Sequence, residues 1–344
     1  MRGWAMKFRE YIVYRLVLAV FVIIGVVTVV FFVSRVIPSD PAALWVGAHP
    51  TPEAIEKARE QLHLNDPVVK QFAYYLWSLL HGDLGISIRT HNPVAADLKS
   101  AFTATFELIL AAEFIAIVIA IPLGVYSAVK KDSWVDNFGR VLAISGVSLP
   151  AFWFGIVLQL IFFKHLGILP LAGRVDTVVM LEHPLHVITG FYLLDSLLTG
   201  NIPVFVDALK HLILPALTLA MYPIGLITRQ VRSMMIEVLN ENYIRTAWAY
   251  GLPPKKIYFK YALKNAIAPA LITVGLSFAY TLVGAFLVEL IFNWPGLGRY
   301  AAYAILSMDY PAVLGVTIIT ATAYVFINLI VDLIQVKLDP RIRL

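Results

Sequence analysis

No cysteine occurs in the 344 residues, so the chain can build no disulfide framework, no thiolate metal site and no cysteine nucleophile. Charge is almost as scarce. Asp, Glu, Lys and Arg make up 14% of the chain against 60% apolar residues, whereas a soluble domain carries roughly 25% charged and about 45–50% apolar residues. That balance excludes an ordinary soluble globular protein. Catalytic signatures are missing as well: there is no Gly-x-Ser-x-Gly elbow, no His-Glu-x-x-His zinc helix and no Walker A loop. ATP binding by this chain alone is therefore not expected, and an intramembrane hydrolase has no motif to rest on. No compact cluster of His, Met or acidic residues suggests a metal route, and no internal repeat or low-complexity stretch is visible.

What the chain has in excess is long apolar runs. About 20 apolar residues cross a bilayer core as one helix, and on that criterion six spans are predicted, at 16–33, 104–127, 138–163, 211–232, 267–291 and 312–336. The first follows Arg2, Lys7, Arg9 and Arg15 and superficially looks like a secretory signal. It is too long for one and lacks an Ala-x-Ala-like cleavage site, so a retained helix is expected. With the N-terminus inside, most of the 27 lysines and arginines fall on the inner side, as basic residues do in cytoplasmic loops. Seven of them (Arg229, Arg232, Arg245, Lys255, Lys256, Lys260 and Lys264) lie between spans four and five. Both termini are predicted cytoplasmic, and the net charge of +5 needs no nucleic-acid partner.

Between spans one and two, the segment from Pro38 to Lys99 is too long for a turn. Thr51-Pro52 and Asp66-Pro67 read as helix starts, giving two short amphipathic helices. Ile55, Ala58 and Leu62 share one face of the first, and Val68, Phe72, Tyr75, Leu76 and Leu79 one face of the second. These faces either pack against the membrane-proximal core or dock an external partner. A second outer connection, 164–210, reads as loop with short interfacial helices. Within the spans, Glu107, Glu113, Glu289 and Asp332 are the ionisable residues, functional candidates by default; all but Glu113 lie near a membrane face. Pro150, Pro215, Pro223 and Pro269 remove backbone donors and can bend helices, while Gly275, Gly284 and Gly315 permit close helix approach. Ser145, Ser148, Gln159 and Tyr280 are polar groups within predicted spans, placed either to face a translocation cavity or to bond between helices.

The inner loop from 237 to 264 is several-fold longer than the usual connection of about 4–6 residues. It is basic and dotted with Tyr243, Trp248, Tyr250, Tyr258, Phe259 and Tyr261. Gly251-Leu252-Pro253-Pro254 divides it into two helical segments, glycine ending one and proline opening the next. Such a helix-turn-helix suits either docking into a cleft on a cytoplasmic partner or lying on the membrane surface.

At this loop the chain resembles the permease subunits of ATP-binding-cassette (ABC) importers, specifically the dipeptide and oligopeptide permease family. The general coupling pattern, Glu-Ala-Ala, three residues and Gly, then a second helix with Leu-Pro, reads here as Arg245-Thr246-Ala247, Gly251 and Leu263-Lys264. The glutamate and the proline are replaced, as in the peptide-permease branch. GDLGISI at 82–88, SLPAFWFGIVLQLIFF at 148–163, HLILPALTLA at 211–220, FNWPGLGRY at 292–300 and LDPRIR at 338–343 extend the similarity over nearly the whole chain.

The resemblance implies an all-α membrane protein with six transmembrane helices in the type I ABC importer permease fold. A first helix would occupy 1–37, a small helical extracytoplasmic subdomain 38–100 and the importer core 101–344. It implies a non-catalytic subunit of the cell membrane, with no cofactor of its own, working with a second homologous permease, two cytoplasmic ATPases that bind ATP and Mg, an extracytoplasmic solute-binding protein and membrane lipid. Tyr243, Arg245, Ala247, Gly251, Leu252, Pro253 and Lys256 are the expected ATPase contacts, with Gly251 as the elbow. Peptides come first as substrates and oligosaccharides second, with nickel complexes last. The competing reading is an ion-coupled secondary transporter, which would turn on a midplane carboxylate such as Glu113.

Overall fold

The computed structural model describes residues 8–36, 41–46, 51–61 and 63–338. Leu62, Arg2, Lys7, Arg341 and Arg343, and the LDPRIR motif beyond Leu338, lie outside them. Among the described residues the chain is helical, without strands; Ile86 and Pro93 form one isolated bridge. The helices are α1 (Phe8–Val36), α2 (Pro41–Val46), α3 (Pro52–Gln61), α4 (Val68–Leu80), α5 (Val94–Val129), α6 (Trp134–Ser148) and α7 (Ala151–Leu158), the last continuing as a π-helical turn over 159–165. Then come α8 (Thr177–Glu182), α9 (Tyr192–Leu198), α10 (Ile202–Leu239), α11 (Asn242–Ala249) and α12 (Pro254–Lys256), a second π-helical turn over 257–262, α13 (Leu263–Ile291), α14 (Leu297–Leu306) and α15 (Tyr310–Leu338).

Five helices are long and apolar enough to cross a membrane, and a sixth span exists if α6 and α7 count as one. That pair covers the third span expected at 138–163, with the break at the Pro150 singled out in the sequence. It bends by 112° where Leu149 and Pro150 leave the helix, because proline supplies no N–H and pushes its predecessor into extended backbone. At Pro215, Pro223 and Pro269 the helices continue without a break. A fourth internal proline, Pro122 in α5, is also accommodated.

The core is built around α5 and α10. On α5, Ala104, Leu108, Ala112, Ala116 and Ala120 are all buried at four-residue spacing, a stripe that is alanine at every place but Leu108 and brings α10 close. Gly124 extends the stripe: a Cβ there would lie 2.7 Å from Val231 Cβ. α6 crosses α10 through Gly225, where a Cβ would sit 2.6 Å from the Ala143 carbonyl oxygen, and Gly146, where it would strike that of Met221. Of the glycines singled out in the sequence, Gly275 is packed against Val331 and Gly315 against Val94 and Leu98, whereas a Cβ on Gly284 would meet only Leu219 Cδ1, at 4.0 Å. α1 packs along α15 and leaves Val13, Leu16, Val17, Val20 and Phe21 exposed, the surface a lipid-facing helix presents.

The amphipathic faces between α1 and α5 are covered in part by the chain itself. Tyr75 stacks on Phe31 of α1 and Phe72 meets the same ring at a tilt, with ring centroids 5.5 and 5.1 Å apart. Leu76 and Leu79 are half-buried, Ala58 is buried and Ile55 half-buried, while Val68 stays exposed.

Candidate functional site

The inner loop is a capped helix followed by an elbow. α11 ends where Gly251 turns left-handed, φ +70°, with its N–H bonded to the Trp248 carbonyl and that of Leu252 to Ala247, the helix end that glycine completes at least steric cost. Beyond the elbow there is no separate second helix. α12, the π-helical turn and α13 run as one element from Pro254 to Ile291, so the far half of the loop is the root of the fifth span. Tyr243, Arg245, Gly251, Pro253 and Lys256 are exposed. Ala247 is buried beside Ile244, and Leu252 is half-buried against the core; both face inward, because α11 must bury one stripe to stay attached. Among the aromatics, Tyr243, Trp248 and Tyr250 are exposed, whereas Tyr258, Phe259 and Tyr261 pack on the core. Asn265 donates to the Tyr243 hydroxyl at 2.7 Å and fixes its direction.

Behind this loop, Arg232 of α10 grips Asp136 of α6 through Nε at 2.6 Å and Nη2 at 2.8 Å. Asp136 is fully buried and also accepts from the Asp132 N–H.

The polar groups of the spans fall into distinct roles. Glu113 is buried and accepts from the Ser277 hydroxyl at 3.1 Å and that of Thr281 at 3.0 Å, a bridge from α5 to α13. Asp332 pairs with Arg15 at 3.0 Å and joins α15 to α1. Gln159 donates to the carbonyls of Leu171 and Ile291 at 2.9 and 3.3 Å, so it ties the turn after α7 to the end of α13. Tyr280 is exposed and lines a cavity of about 410 Å³ between α6, α7, α10 and α13, its ring 6.1 Å from that of Tyr222. Gly146 and Val147 line the same cavity, while Ser145 and Ser148, their neighbours on α6, do not.

At the opposite end, two carboxylates organise the backbone. Glu289, fully buried, accepts from Thr105 at 2.5 Å and from the N–H groups of Gly298 and Arg299 at 2.7 and 3.2 Å. It thus caps the start of α14 from another helix. A Cβ on Gly296 would collide with this carboxylate, and one on Gly298 with the Phe286 Cα beside it, which is the physical content of the FNWPGLGRY motif. Trp294 anchors the same turn through Nε1 to the Ala104 carbonyl at 2.8 Å.

Glu107 pairs with Arg174, Nε to Oε2 at 3.0 Å, and accepts the Leu193 N–H. Arg174 also donates to the Gly190 carbonyl at 2.6 Å and lies 3.7 Å over the Tyr192 ring. Gly190 is held in turn by Asp195, which accepts from the N–H groups of Ile188, Thr189 and Gly190 and from the Thr189 hydroxyl. Burial pushes the Asp195 carboxyl up, but those four donors outweigh it and hold the group below its ordinary value. Arg174 carries no local sequence signal, since its partner is 67 positions away; nor does Tyr222, whose place beside Tyr280 depends on how α10 packs on α13. Among the described residues, no group of three or more metal-ligating side chains stands together.

A polytopic helical chain with a cavity between its bent and crossing spans, and an exposed hinged helix at one end, has the architecture of a membrane transport subunit. The comparisons with known proteins agree. Residues 120–344 match the family described as the binding-protein-dependent transport system inner membrane component, and residues 8–109 match the N-terminal family of the same membrane component. The chain is 48% identical over 323 residues to a probable D,D-dipeptide transport system permease of Escherichia coli, covering 94% of each chain. It is 40% identical to a dipeptide transport system permease of Alkalihalophilus pseudofirmus, over 97% of this chain and 99% of the relative. A glutathione transport system permease of Pectobacterium atrosepticum is 32% identical over the same shares.

The chain therefore belongs to the family of binding-protein-dependent transport system inner membrane components and is a permease subunit of an ABC importer. It is a multi-pass inner-membrane protein that works in a complex with other ABC components, and ATP hydrolysis belongs to separate subunits. This assignment replaces the ion-coupled alternative, and Glu113 is accounted for by its bridge to α13.

Proposed function

We propose that this chain, with a second homologous permease, forms the pathway for short peptides released by an extracytoplasmic binding protein, driven by two cytoplasmic ATPases that bind ATP and Mg. Relatives named for dipeptide, D,D-dipeptide and glutathione transport favour peptides over oligosaccharides. Both termini and the α10–α13 loop face the cytoplasm, in keeping with the seven basic residues in that loop and on the helix ends beside it.

One observation carries the mechanism: exposed α11 is joined through the left-handed Gly251 to a single helix, Pro254–Ile291, that lines the cavity at Tyr280. Tyr243, Arg245, Pro253 and Lys256 make the contact with the ATPase. Ala247 and Leu252 support it from beneath, fixing α11 to the core so that a push on its outer face is not lost in local slippage. Closure of the ATPases on ATP shifts α11, the elbow takes up the change of angle, and α13 tilts as a rod against α10. The cavity wall then moves without any side chain performing chemistry.

Gly251→Pro tests this, because proline holds φ near −65° where the elbow needs +70°. In proteoliposomes containing the assembled transporter, dipeptide uptake should fall at least tenfold while basal ATP hydrolysis persists. Wild-type uptake by this variant would overturn the lever.

A further inference from the structure

At the end of the bundle opposite the α10–α13 loop, two guanidiniums stand against one aromatic ring. Arg89, in the turn before α5, lies 5.6 Å from the centroid of the Tyr303 ring and 5.9 Å from that of Tyr300. Arg299 of α14 lies 5.5 Å from the same Tyr303 centroid, so the two positive charges are near enough to repel. Neither forms an ion pair among the described residues. The Arg89 guanidinium donates to no protein acceptor there, and that of Arg299 only to the Asn293 carbonyl, at 3.2 Å, which leaves most of their N–H donors open. The fold nevertheless holds both in place. Asp309, a fully buried carboxylate, accepts the Arg89 backbone N–H at 3.1 Å, Tyr300 is buried, and Arg299 and Tyr303 are one turn apart on α14.

Both arginines and both tyrosines line a cavity of about 260 Å³ beside the start of α5. Its one carboxylate, Asp97, is engaged with its own neighbours: it accepts from the Thr90 hydroxyl at 2.6 Å, the Asn92 amide at 3.2 Å and the Tyr300 hydroxyl at 3.4 Å. Two arginines outweigh it, and the cavity is left with a net positive charge. The group that matches is a carboxylate, which takes paired N–H donors from a guanidinium. The volume falls below the roughly 300–1,000 Å³ of small-molecule sites, so it suits the tip of one side chain rather than a whole peptide. Arg89 and Tyr303 are exposed, and arginine and tyrosine are among the residues that most often carry the energy of a protein–protein contact. We propose that Arg89 and Arg299 form a socket for an acidic side chain of the extracytoplasmic binding protein. The socket rests on the binding-protein reading above and adds to it the place and the charge of the contact. None of its residues lines the cavity at Tyr280.

The test uses the assembled transporter in phosphatidylcholine nanodiscs and the peptide-binding protein of the same cell, loaded with alanyl-alanine, with binding followed by biolayer interferometry. In the double variant Arg89→Gln, Arg299→Gln the affinity should weaken at least tenfold and lose most of its salt dependence. Glutamine keeps a donor for the Asn293 carbonyl. In proteoliposomes this variant should need at least tenfold more binding protein for half-maximal uptake and still reach the wild-type rate at saturation, a split that a misfolded chain would not give. In the double variant Arg89→Lys, Arg299→Lys the salt dependence should persist, and a carbodiimide should join a new amine to an aspartate or glutamate of the binding protein, identified by mass spectrometry. Equal affinity of the wild type and the glutamine variant, or cross-links to Asp97 alone, would overturn the socket and leave the binding-protein reading intact. No binding to the wild type would overturn both. Saturable binding of free alanyl-alanine, or a thermal midpoint raised by phosphatidylglycerol, in the wild type and not in the glutamine variant would assign the site to the peptide carboxylate or to a lipid phosphate, and either result would also overturn the socket.

Discussion

Glu289 gives the sharpest stability test because its three donors come from two other parts of the chain. Replacing it by alanine strands the buried Thr105 hydroxyl and the part-buried N–H groups of Gly298 and Arg299. A buried unsatisfied group costs about 1–3 kcal/mol. Allowing for partial relaxation of the hydroxyl, Glu289→Ala should destabilise by about 3–5 kcal/mol. Glu289→Gln should cost only about 1 kcal/mol, since its amide oxygen can take both N–H groups while its NH₂ turns to the Thr105 oxygen. Thr105→Val removes a donor to Glu289 and the acceptor of the Leu297 N–H at 2.8 Å, so its effect should not add to that of Glu289→Ala. The measurement is equilibrium unfolding in mixed micelles of dodecyl maltoside and dodecyl sulfate. If alanine costs less than about 1 kcal/mol, or glutamine costs as much as alanine, the carboxylate is not the cap of α14.

Two further outcomes follow from the ion pairs and turns. Arg232→Met should destabilise by about 3 kcal/mol, near the low end for an orphaned buried partner, because Arg140 stands 4.0 Å from Asp136 and offers partial relief. Adding Asp136→Asn should recover much of that loss in the same unfolding assay, and additive effects would refute the pairing. Asp195 sets an acid limit. Its folded-state value lies below its ordinary one, so its contribution is fully present above the usual carboxylate range, around pH 4, and is lost as pH falls through the folded value. Asp195→Asn should remove that part of the decline in thermal midpoint between pH 5 and 3, taken as an approximate window around the usual value, and an unchanged profile would count against the turn.

The span positions were legible because a bilayer crossing demands about 20 apolar residues whatever the fold, and the long runs at 16–33, 211–232 and 312–336 sit inside α1, α10 and α15. The amphipathic faces of α3 and α4 were legible for a similar local reason, as their apolar residues recur at helical spacing. The inner loop was half legible. Gly251 and Pro253-Pro254 announce an elbow from sequence alone, but nothing local says that the residues after it fuse into α13, or that Ala247 faces inward while Arg245 faces out.

The translocation candidates fared unevenly for a physical reason: a serine or glutamine in an apolar helix satisfies its polar atoms wherever it can. Gln159 found backbone carbonyls and Tyr280 a cavity, while Ser145 and Ser148 lie outside that cavity's wall.

Composition and hydropathy determined by themselves that this is a helical membrane protein, and the resemblance carried by its local motifs pointed to a transport subunit, because each of those properties is carried by residues near one another in the chain. Only the tertiary structure decided that α6 and α7 bend by 112°. It also paired Arg174 with Glu107, Arg232 with Asp136, and Glu289 with the N-terminus of α14. Those facts depend on which helix faces meet, and a contact between residues 67, 96 or 184 positions apart is set by the packing of whole elements rather than by any local pattern.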